Sequence, residues 1–554
     1  MKLNRFFISL FALAALIFVG CTESGDDTGS GSGSNTPKPG AIEVAEGKDL
    51  VGYVLWDDGS PAKGIVVSDG FSCTTTDEAG IYQLTRNINA RNVFISFPAT
   101  AEITVKKNQI PDFFHSFNAA ANGVIRHDFS IVRRKTATPR RFQLIVFADS
   151  QIRLQRFGEH FSKDFCPDAN KTVAESNLPT VGITCGDDGD DNLWHQKRDG
   201  EDMTFQTVAD CYGALSFPMF HCAGNHDHDK SHSVPAATGT DDENYMPYYY
   251  ASIKPFEKAF NPVDYSFNYG NVHFVIMDNI RYYGPSSYTI GFTDEQIEWL
   301  RQDLSYVPTT MAVFISLHAS YYRRNMENKE ELAKLIAPYA NKWFFIGHSH
   351  VNRYSEFTDE HAGKVTEWML ATPMGVFYRS NVNHTGEPVG YGVLTISGTE
   401  VIDRYYKCAY YDRSVQGRLY DTSKFSTWST ESDTDGVAWK DKVVGVVFEK
   451  SQTSAGHRDL WTVELWEDDQ FSSVMTRYTG KDYGIYDMLL KTDFKSKYLN
   501  IDEHPSVVLY KAIPKSKTSK KSMRLVDWMG REYWVKDVTT SMDHMLTGME
   551  NGGK

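Results

Sequence analysis

The chain has 554 residues, of which 41% are hydrophobic and 23% charged, with Gly and Pro near their average frequencies. This length exceeds what one hydrophobic core supports, so we expect several domains, and the composition excludes a small disulfide-stapled, a collagen-like or a globally disordered protein. The formal net charge of -14 disfavours DNA or RNA as a partner, because nucleic-acid affinity depends on Lys and Arg that neutralise phosphates.

The first 21 residues predict export. Lys2 and Arg5 precede an apolar run over residues 6–19, which has the order of the n- and h-regions of a signal peptide and is short for a membrane span. Gly20-Cys21 resembles a bacterial lipobox, in which Cys21 becomes the lipidated first residue. Residues 22–45 predict a flexible linker. We therefore expect a cell-envelope protein held to the outer membrane by a lipid on Cys21, on its periplasmic or surface-exposed face.

Three domains are predicted beyond the linker. Residues 46–135 give short alternating segments separated by Asp-Gly and Gly-Ser-Pro turns, which indicates an N-terminal all-β sandwich. Residues 136–408 alternate continuous apolar runs with amphipathic stretches, the pattern of an α/β domain with buried strands. Residues 409–554 return to β-like texture and predict a C-terminal β-rich domain.

Two helices of the central domain have predicted starts. Thr293 with Gln296, and Asn328 with Glu331, have the spacing of a capping box ahead of an amphipathic segment. In such a box each side chain binds the backbone amide of the other residue. Both segments are therefore expected to be helices that begin at these residues.

Potential metal ligands follow five of the six apolar runs of the central domain. In chain order they are Asp149 and Gln151, Asp187 and Asp190, Asn225 with His226 and Asp227, His318, and His348 with His350. In an open α/β sheet, ligands bind outside the carboxyl ends of the strands, so these side chains are expected to converge. Singly, His318 is also typical of a buried core histidine, and Asp187 or Asp190 of a helix cap or turn. Their joint occurrence favours a metal site.

These motifs resemble the calcineurin-like metallophosphoesterases, whose pattern is D-x-H, GD-x-x-D, GNH-D/E, a lone His and GH-x-H. The match runs in order over about 265 residues. The stretches KWFFIGHSH and FPMFHCAGNHDHD are similar to a Bacteroidetes lipoprotein branch of the family. The resemblance implies a central α/β phosphoesterase domain, a β-sandwich flanked by helices, between the N-terminal sandwich and the C-terminal β domain.

The resemblance also implies two divalent metal ions, with Mn expected first and Fe, Zn or Mg as alternatives. Asp187 would bridge the two ions, and the other implied ligands are Asp149, Gln151 and His350 for the first and Asn225, His318 and His348 for the second. A mixture of Asp, His and Asn suits such ions, which need one bridging anion. His226, directly after ligand Asn225, would donate a proton to the leaving oxygen, and Asp227 would orient and charge it.

Gln151 departs from the family pattern, which has His at this position. An amide oxygen is a neutral and harder donor than an imidazole nitrogen. The substitution therefore moves the first site toward Mn or Mg and away from tightly held Fe or Zn.

The expected function is metal-dependent hydrolysis of a phosphate ester, with a phosphorylated small molecule or an envelope component as substrate. Two alternatives stay open: a pyrophosphatase acting on a nucleotide or sugar-nucleotide, and an inactive surface binding protein. The intact His226, His318, His348 and His350 argue against the inactive alternative. The sequence indicates neither the substrate nor the oligomeric state.

Overall fold

The computed structural model describes residues 40–190, 203–322, 326–451, 461–492 and 506–547. The predicted signal peptide, Cys21 and most of the predicted linker lie outside the described residues. Within the described ranges, no helix is both long enough and apolar enough to cross a membrane.

The N-terminal domain consists of two small sheets, as predicted. Its strands are β1 (Leu50–Trp56), β2 (Val66–Ser68), β3 (Cys73–Thr75), β4 (Ile81–Leu84), β5 (Asn92–Ile95), β6 (Ala101–Glu102), β7 (Phe114–Ser116), β8 (Ile125–Arg126) and β9 (Phe129–Arg133). One sheet has the order β4-β1-β9-β6 with β8 beside β1, and the other has the order β3-β2-β5-β7. Tyr82 and Leu84 are buried while their strand neighbours are partly exposed, which is the alternation of a strand with one face on a core.

The central domain combines two larger sheets with helices. The strands of the first are β10 (Arg141–Phe147), β11 (Thr180–Thr184), β12 (Met219–Phe220), β21 (Gly390–Ser397) and β22 (Glu400–Cys408). The second sheet contains β13 (Tyr265–Tyr269), β14 (Val272–Ile276), β17 (Ala312–Leu317), β18 (Lys342–Ile346), β19 (Arg353–Asp359) and β20 (Gly363–Met369), and β15 (Ile280–Gly284) with β16 (Ser287–Ile290) forms a separate hairpin. The helices are α1 (Gln155–His160), α2 (Cys166–Ser176), α3 (Phe205–Cys211), α4 (Tyr245–Ala259), α5 (Asp294–Ser305) and α6 (Lys329–Ile336).

Parallel pairing brings the carboxyl ends of several strands to one edge. Strands β10, β11 and β12 are parallel neighbours in the first sheet, and β14, β17 and β18 are parallel neighbours in the second. Such strands are buried on both faces, which explains their continuous apolar sequences. The Ser316 hydroxyl of β17 donates a hydrogen bond to the Thr184 carbonyl of β11 at 2.7 Å, so the two sheets meet just before their strands end.

One of the two predicted capping boxes is confirmed. The Gln296 backbone amide donates to the Thr293 hydroxyl at 3.1 Å, and the Thr293 backbone amide donates to the Gln296 side-chain oxygen at 2.9 Å. The Asn328 capping box is wrong, although α6 begins directly after this residue. Asn328 has a φ of 54°, which Asn tolerates, and its side-chain amide donates to the Phe292 carbonyl and to Asp294. The side chain thus joins α6 to the start of α5.

The C-terminal domain is β-rich, as predicted. Its elements are β23 (Gly417–Asp421), β24 (Val443–Val447), β25 (Lys450–Ser451), β26 (Thr462–Glu467), β27 (Gln470–Val474), β28 (Thr476–Lys481), α7 (Tyr483–Leu489), β29 (Ser506–Ala512), β30 (Lys521–Val526), β31 (Glu532–Val535) and β32 (Val538–Thr539). They form sheets of order β28-β29-β24-β23-β32 and β27-β26-β30-β31. Strand β25 pairs with β19, so a strand from beyond the predicted domain boundary extends the second central sheet.

Candidate metal centre

Asp187 lies at the middle of the cluster formed at the strand ends. Its carboxylate is 3.2 Å from the His318 Nε2 atom and accepts a hydrogen bond from the Gln151 side-chain amide at 3.3 Å. Asp149, Asp187 and His318 are all buried and offer ligand atoms that lie within 4.8 Å of one another. This grouping brings together residues that are up to 169 positions apart in the sequence.

A second convergence lies on the other side of His318. The Asn225 Oδ1 atom is 3.0 Å from His318 Nε2 and 2.9 Å from His348 Nδ1, and the two imidazole nitrogens are 3.0 Å apart. An amide oxygen and two imidazole nitrogens so arranged match the neutral donors that a divalent transition metal takes. His318 Nδ1 meets the Cys185 carbonyl at 2.8 Å, the backbone contact that commonly fixes the tautomer and orientation of a ligand histidine.

Asp149 connects the remaining predicted ligands to the cluster. Its carboxylate accepts hydrogen bonds from the His348 backbone amide at 2.9 and 3.0 Å and lies 3.3 Å from His350 Nε2. All seven ligands predicted from the sequence therefore lie in one continuous network of contacts. Gln151 at present directs its amide nitrogen toward Asp187, so metal ligation would require its terminal torsion to turn and present the oxygen.

The electrostatics of the buried centre favour an ionised Asp187 beside a protonated His318. Burial alone would lower the pKa of His318, but the neighbouring Asp187 carboxylate outweighs burial and raises the pKa to about 9. Burial would likewise raise the pKa of Asp187, whereas His318 and His226 hold that pKa well below its ordinary range. Asp187 is therefore an ionised carboxylate that positive charge beside it stabilises.

The loops that carry the predicted ligands have unusual backbone conformations. Five predicted ligands have a positive φ, between 41° and 69°: Asp149, Gln151, Asp187, His348 and His350. Non-glycine residues adopt this region uncommonly, and such strain concentrates at functional sites. Close packing explains why Gly224 and Gly347 have no side chain. A Cβ on Gly224 would lie 2.3 Å from Asp187 Oδ1, and one on Gly347 would lie 2.6 Å from Asp149 Oδ2.

The predicted proton donor His226 lies at the edge of the cluster. Its backbone amide donates to Asp187 at 2.7 Å, and its side chain is one-third exposed. The His226 Nδ1 atom is 3.8 Å from Asp190, whose other carboxylate oxygen is 3.7 Å from Arg153. Asp190 is thus an acidic neighbour of this imidazole.

Asp227 has partners that differ from the predicted one. Its fully buried carboxylate accepts hydrogen bonds from the backbone amides of Asp188, Gly189 and Gly224 at 2.8 to 3.3 Å. Burial, together with the nearby Asp188 and Asp187, raises the pKa of Asp227 well above its ordinary value. The contacts therefore favour a role in joining two ligand loops rather than the predicted role in orienting His226.

Other residues near the site lie outside the set that the sequence predicts. Asp188 is buried and bound by the Tyr212 hydroxyl, by His221 at 2.7 Å and by Thr184 at 3.1 Å. The sequence does contain a signal for His221, because this polar residue interrupts the apolar run over residues 217–223. The Tyr288 ring packs edge-on to His348 at 6.2 Å, but Tyr288 belongs to a hairpin whose place beside the site no local pattern predicts.

A family model describing the N-terminal domain of calcineurin-like phosphoesterases matches residues 48–134. This match confirms the predicted resemblance, and with the ligand geometry it supports a hydrolase of phosphoric ester bonds. No curated protein matches the chain.

Several solved structures are similar to the chain at low identity. A structure of PhoD is 12% identical, covers 71% of this chain and 86% of its own, and has a TM-score of 0.33. The purple acid phosphatase PPD1 from yellow lupin (Lupinus luteus) seeds is 14% identical, with coverages of 62% and 73% and a TM-score of 0.32. The 5'-nucleotidase from Candida albicans SC5314 is 13% identical, with coverages of 49% and 52% and a TM-score of 0.29. TM-scores this low support no argument about function, so the support for a phosphoesterase comes from the family-model match and the arrangement of the predicted ligands.

Proposed function

We propose that the chain is a metal-dependent phosphoesterase with a dinuclear metal site. The observation that carries this proposal is the single contact network that joins all seven predicted ligands where the two sheets meet, with the His348 backbone amide linking Asp149 and His350 to the other five. The negative charge of Asp149 and Asp187, buried together among imidazoles, suits divalent cations.

The donor set divides into two groups around Asp187. Asp149, Gln151 and His350 would hold the first ion, and Asn225, His318 and His348 the second. When bound, divalent cations supply positive charge that neutralises the phosphoryl oxygens and acidifies an attacking water. Gln151 favours Mn or Mg over Fe or Zn at the first position, because its amide is a neutral oxygen donor.

His226 acts as the proton donor in this proposal. Hydrolysis breaks the bond between phosphorus and the ester oxygen, and that oxygen leaves more easily when it receives a proton. The His226 backbone is held by Asp187 and the imidazole is one-third exposed, so the side chain can reach an ester bound at this edge, where the Asp190 carboxylate lies 3.8 Å from its Nδ1 atom. Arg153, on the far side of Asp190, is a further cation at this edge.

The test is hydrolysis by purified protein of nitrophenyl phosphate, bis(nitrophenyl) phosphate and a nucleoside diphosphate sugar. We expect activity on at least one substrate, its loss after removal of metal by a chelator, and its return with Mn. Inactivity toward all three with Mn, Fe, Zn and Mg would contradict the proposal. The nucleoside diphosphate sugar distinguishes a pyrophosphatase from an esterase.

We also propose that lipid on Cys21 attaches the protein to the outer membrane. The proposal is supported by the lipobox-like Gly20-Cys21 and the Gly/Ser-rich sequence that follows. Cys21→Ala should abolish incorporation of labelled fatty acid and leave the protein as a precursor or in the soluble fraction. Mature wild-type protein that carries no lipid would contradict the anchor.

A further inference from the structure

A long loop between β20 and β21 brings an additional histidine to the metal centre. The loop covers residues 370–389, and its His384 ring lies 6.3 Å from the ring of the predicted ligand His350. His384 is 7% exposed. An imidazole that is shielded from bulk water forms stronger hydrogen bonds to an anion than an exposed one does.

The same loop covers the segment that carries Asp149 and Gln151. The Tyr378 hydroxyl donates a hydrogen bond to the Ser150 carbonyl at 2.5 Å, and the Tyr378 ring stacks on Phe157 at 4.2 Å. Tyr378 has a φ of 61°, an uncommon conformation for a bulky side chain. The loop therefore forms one wall of the first metal position.

The last described residues of the chain hold this loop. The Asn381 amide donates to the Met545 carbonyl at 2.7 Å, and the Thr547 amide donates to the Arg379 carbonyl at 3.1 Å. The Thr547 hydroxyl adds a hydrogen bond to the Tyr378 carbonyl at 2.7 Å. This short pairing fixes the loop to a segment about 160 residues further along the sequence.

Glu387, three residues after His384, connects the loop to the segment after His350 and to strand β25. Its fully buried carboxylate accepts a hydrogen bond from the Asn352 amide at 3.1 Å and lies 3.3 Å from the Lys450 ammonium group of β25. The Lys450 amide in turn donates to the Asn352 carbonyl at 2.9 Å. Asn352 is two residues after His350, so the buried pair of Glu387 and Lys450 connects the segments that carry His384 and His350 to strand β25.

We propose that His384 binds the phosphoryl group of the substrate, and that the C-terminal domain positions it through Lys450 and Glu387. This inference rests on the proposed phosphoesterase function. An imidazole N–H is a suitable donor to a phosphate oxygen, and His384 lies beside the ligand set rather than within it. The C-terminal domain is thus a structural part of the active site, and Lys450 and Glu387 are positioning residues.

The first experiment compares His384→Ala and His384→Gln with the wild type, using inorganic phosphate as a competitive inhibitor and metal analysis as a second readout. Loss of one hydrogen bond to a charged group should raise the inhibition constant of phosphate about 10- to 100-fold in His384→Ala. His384→Gln should recover part of this loss, because its amide also donates. Metal content should stay at the wild-type value.

His361→Ala is the matched control. His361 lies in the turn between β19 and β20, at the opposite end of the second sheet, because β18 and β20 are parallel and the site lies beyond the end of β18. Its inhibition constant should equal that of the wild type. An inhibition constant within twofold of wild type in His384→Ala, or loss of metal in that variant, would overturn the assignment of His384 to phosphate.

The second experiment tests the positioning role. Lys450→Met, and independently Thr547→Val, should raise the phosphate inhibition constant in the same direction as His384→Ala. Each should add little in combination with His384→Ala, since residues that act through one group are not additive. Fully additive effects in both double variants would overturn the positioning role. A wild-type protein without activity on any phosphate ester refutes the proposed function and this inference together, whereas an active wild type with an unaffected His384→Ala refutes the inference alone.

Discussion

Gly224→Ala tests the packing of the metal loops directly. The new Cβ would lie 2.3 Å from Asp187 Oδ1, 2.5 Å from the Asp187 amide nitrogen and 2.8 Å from His318 Nδ1. Ordinary contact begins near 3.4 Å, so the carboxylate oxygen must move by about 1 Å or the two loops must separate. Overpacking of this kind costs about 1–3 kcal/mol of stability.

The kinetic effect should exceed the effect on stability. A displacement of about 1 Å at a reacting centre lowers turnover about 100-fold. We therefore expect kcat/KM with Mn to fall by about this factor while the protein stays folded at 25 °C, as measured by chemical denaturation beside the assay. Gly239→Ala is the matched control, since a Cβ there meets nothing within 4 Å and the backbone needs no positive φ. Wild-type activity in Gly224→Ala would refute the described approach of the Gly224 and Asp187 loops.

Three further predictions follow from particular contacts. His226→Ala should lower turnover about 10²- to 10⁴-fold for an alkyl phosphate but much less for nitrophenyl phosphate, whose leaving group needs little protonation, and equal losses on both would argue against proton donation. Gln151→His should raise the affinity of the first site for Zn relative to Mn in competition titrations, and unchanged relative affinities would mean that residue 151 does not touch the metal. Burial and the neighbouring Asp278 raise the pKa of Asp264 to about 7 from 3.8, so this carboxyl destabilises the folded protein as the pH rises from about 4 to 7. Solvent reaches part of this residue and reduces the cost of its charge, so Asp264→Asn should stabilise the protein by about 2 kcal/mol at pH 8 and by almost nothing at pH 4. An equal gain at both pH values in denaturant titrations would contradict this origin.

The ligand cluster could be predicted because each motif is local. Asp149, Asp187, Asn225, His318 and His348 each follow a buried strand, and parallel strands end at a common edge. The order of the motifs therefore indicates their convergence without knowledge of the sheet order. Family resemblance then divides the ligands between two ions, which spacing alone does not do.

The parts that could not be predicted depend on contacts between distant segments. Asp227 is adjacent to His226 in sequence, whereas Asp190 belongs to the loop after β11, and only the folded arrangement of the two loops brings Asp190 to 3.8 Å from the imidazole. The place of His384 depends on a loop that the C-terminal domain holds, and no local pattern encodes that contact. The predicted Asn328 capping box is absent for a similar reason, because the Asn328 side-chain amide donates instead to the Phe292 carbonyl and to Asp294, which belong to a distant segment.

The occupancy of the site by two metal ions is tested most directly by Mn titration of metal-free protein with electron paramagnetic resonance detection. The wild type should bind two ions per chain, with the spectrum of an exchange-coupled pair about 3.5–4 Å apart, because one bridging carboxylate holds both. Asp187→Asn should lose the coupled spectrum, since a neutral amide cannot bridge two dications. Saturation of the wild type at one ion, or a coupled pair that persists in Asp187→Asn, would contradict a dinuclear site bridged by Asp187.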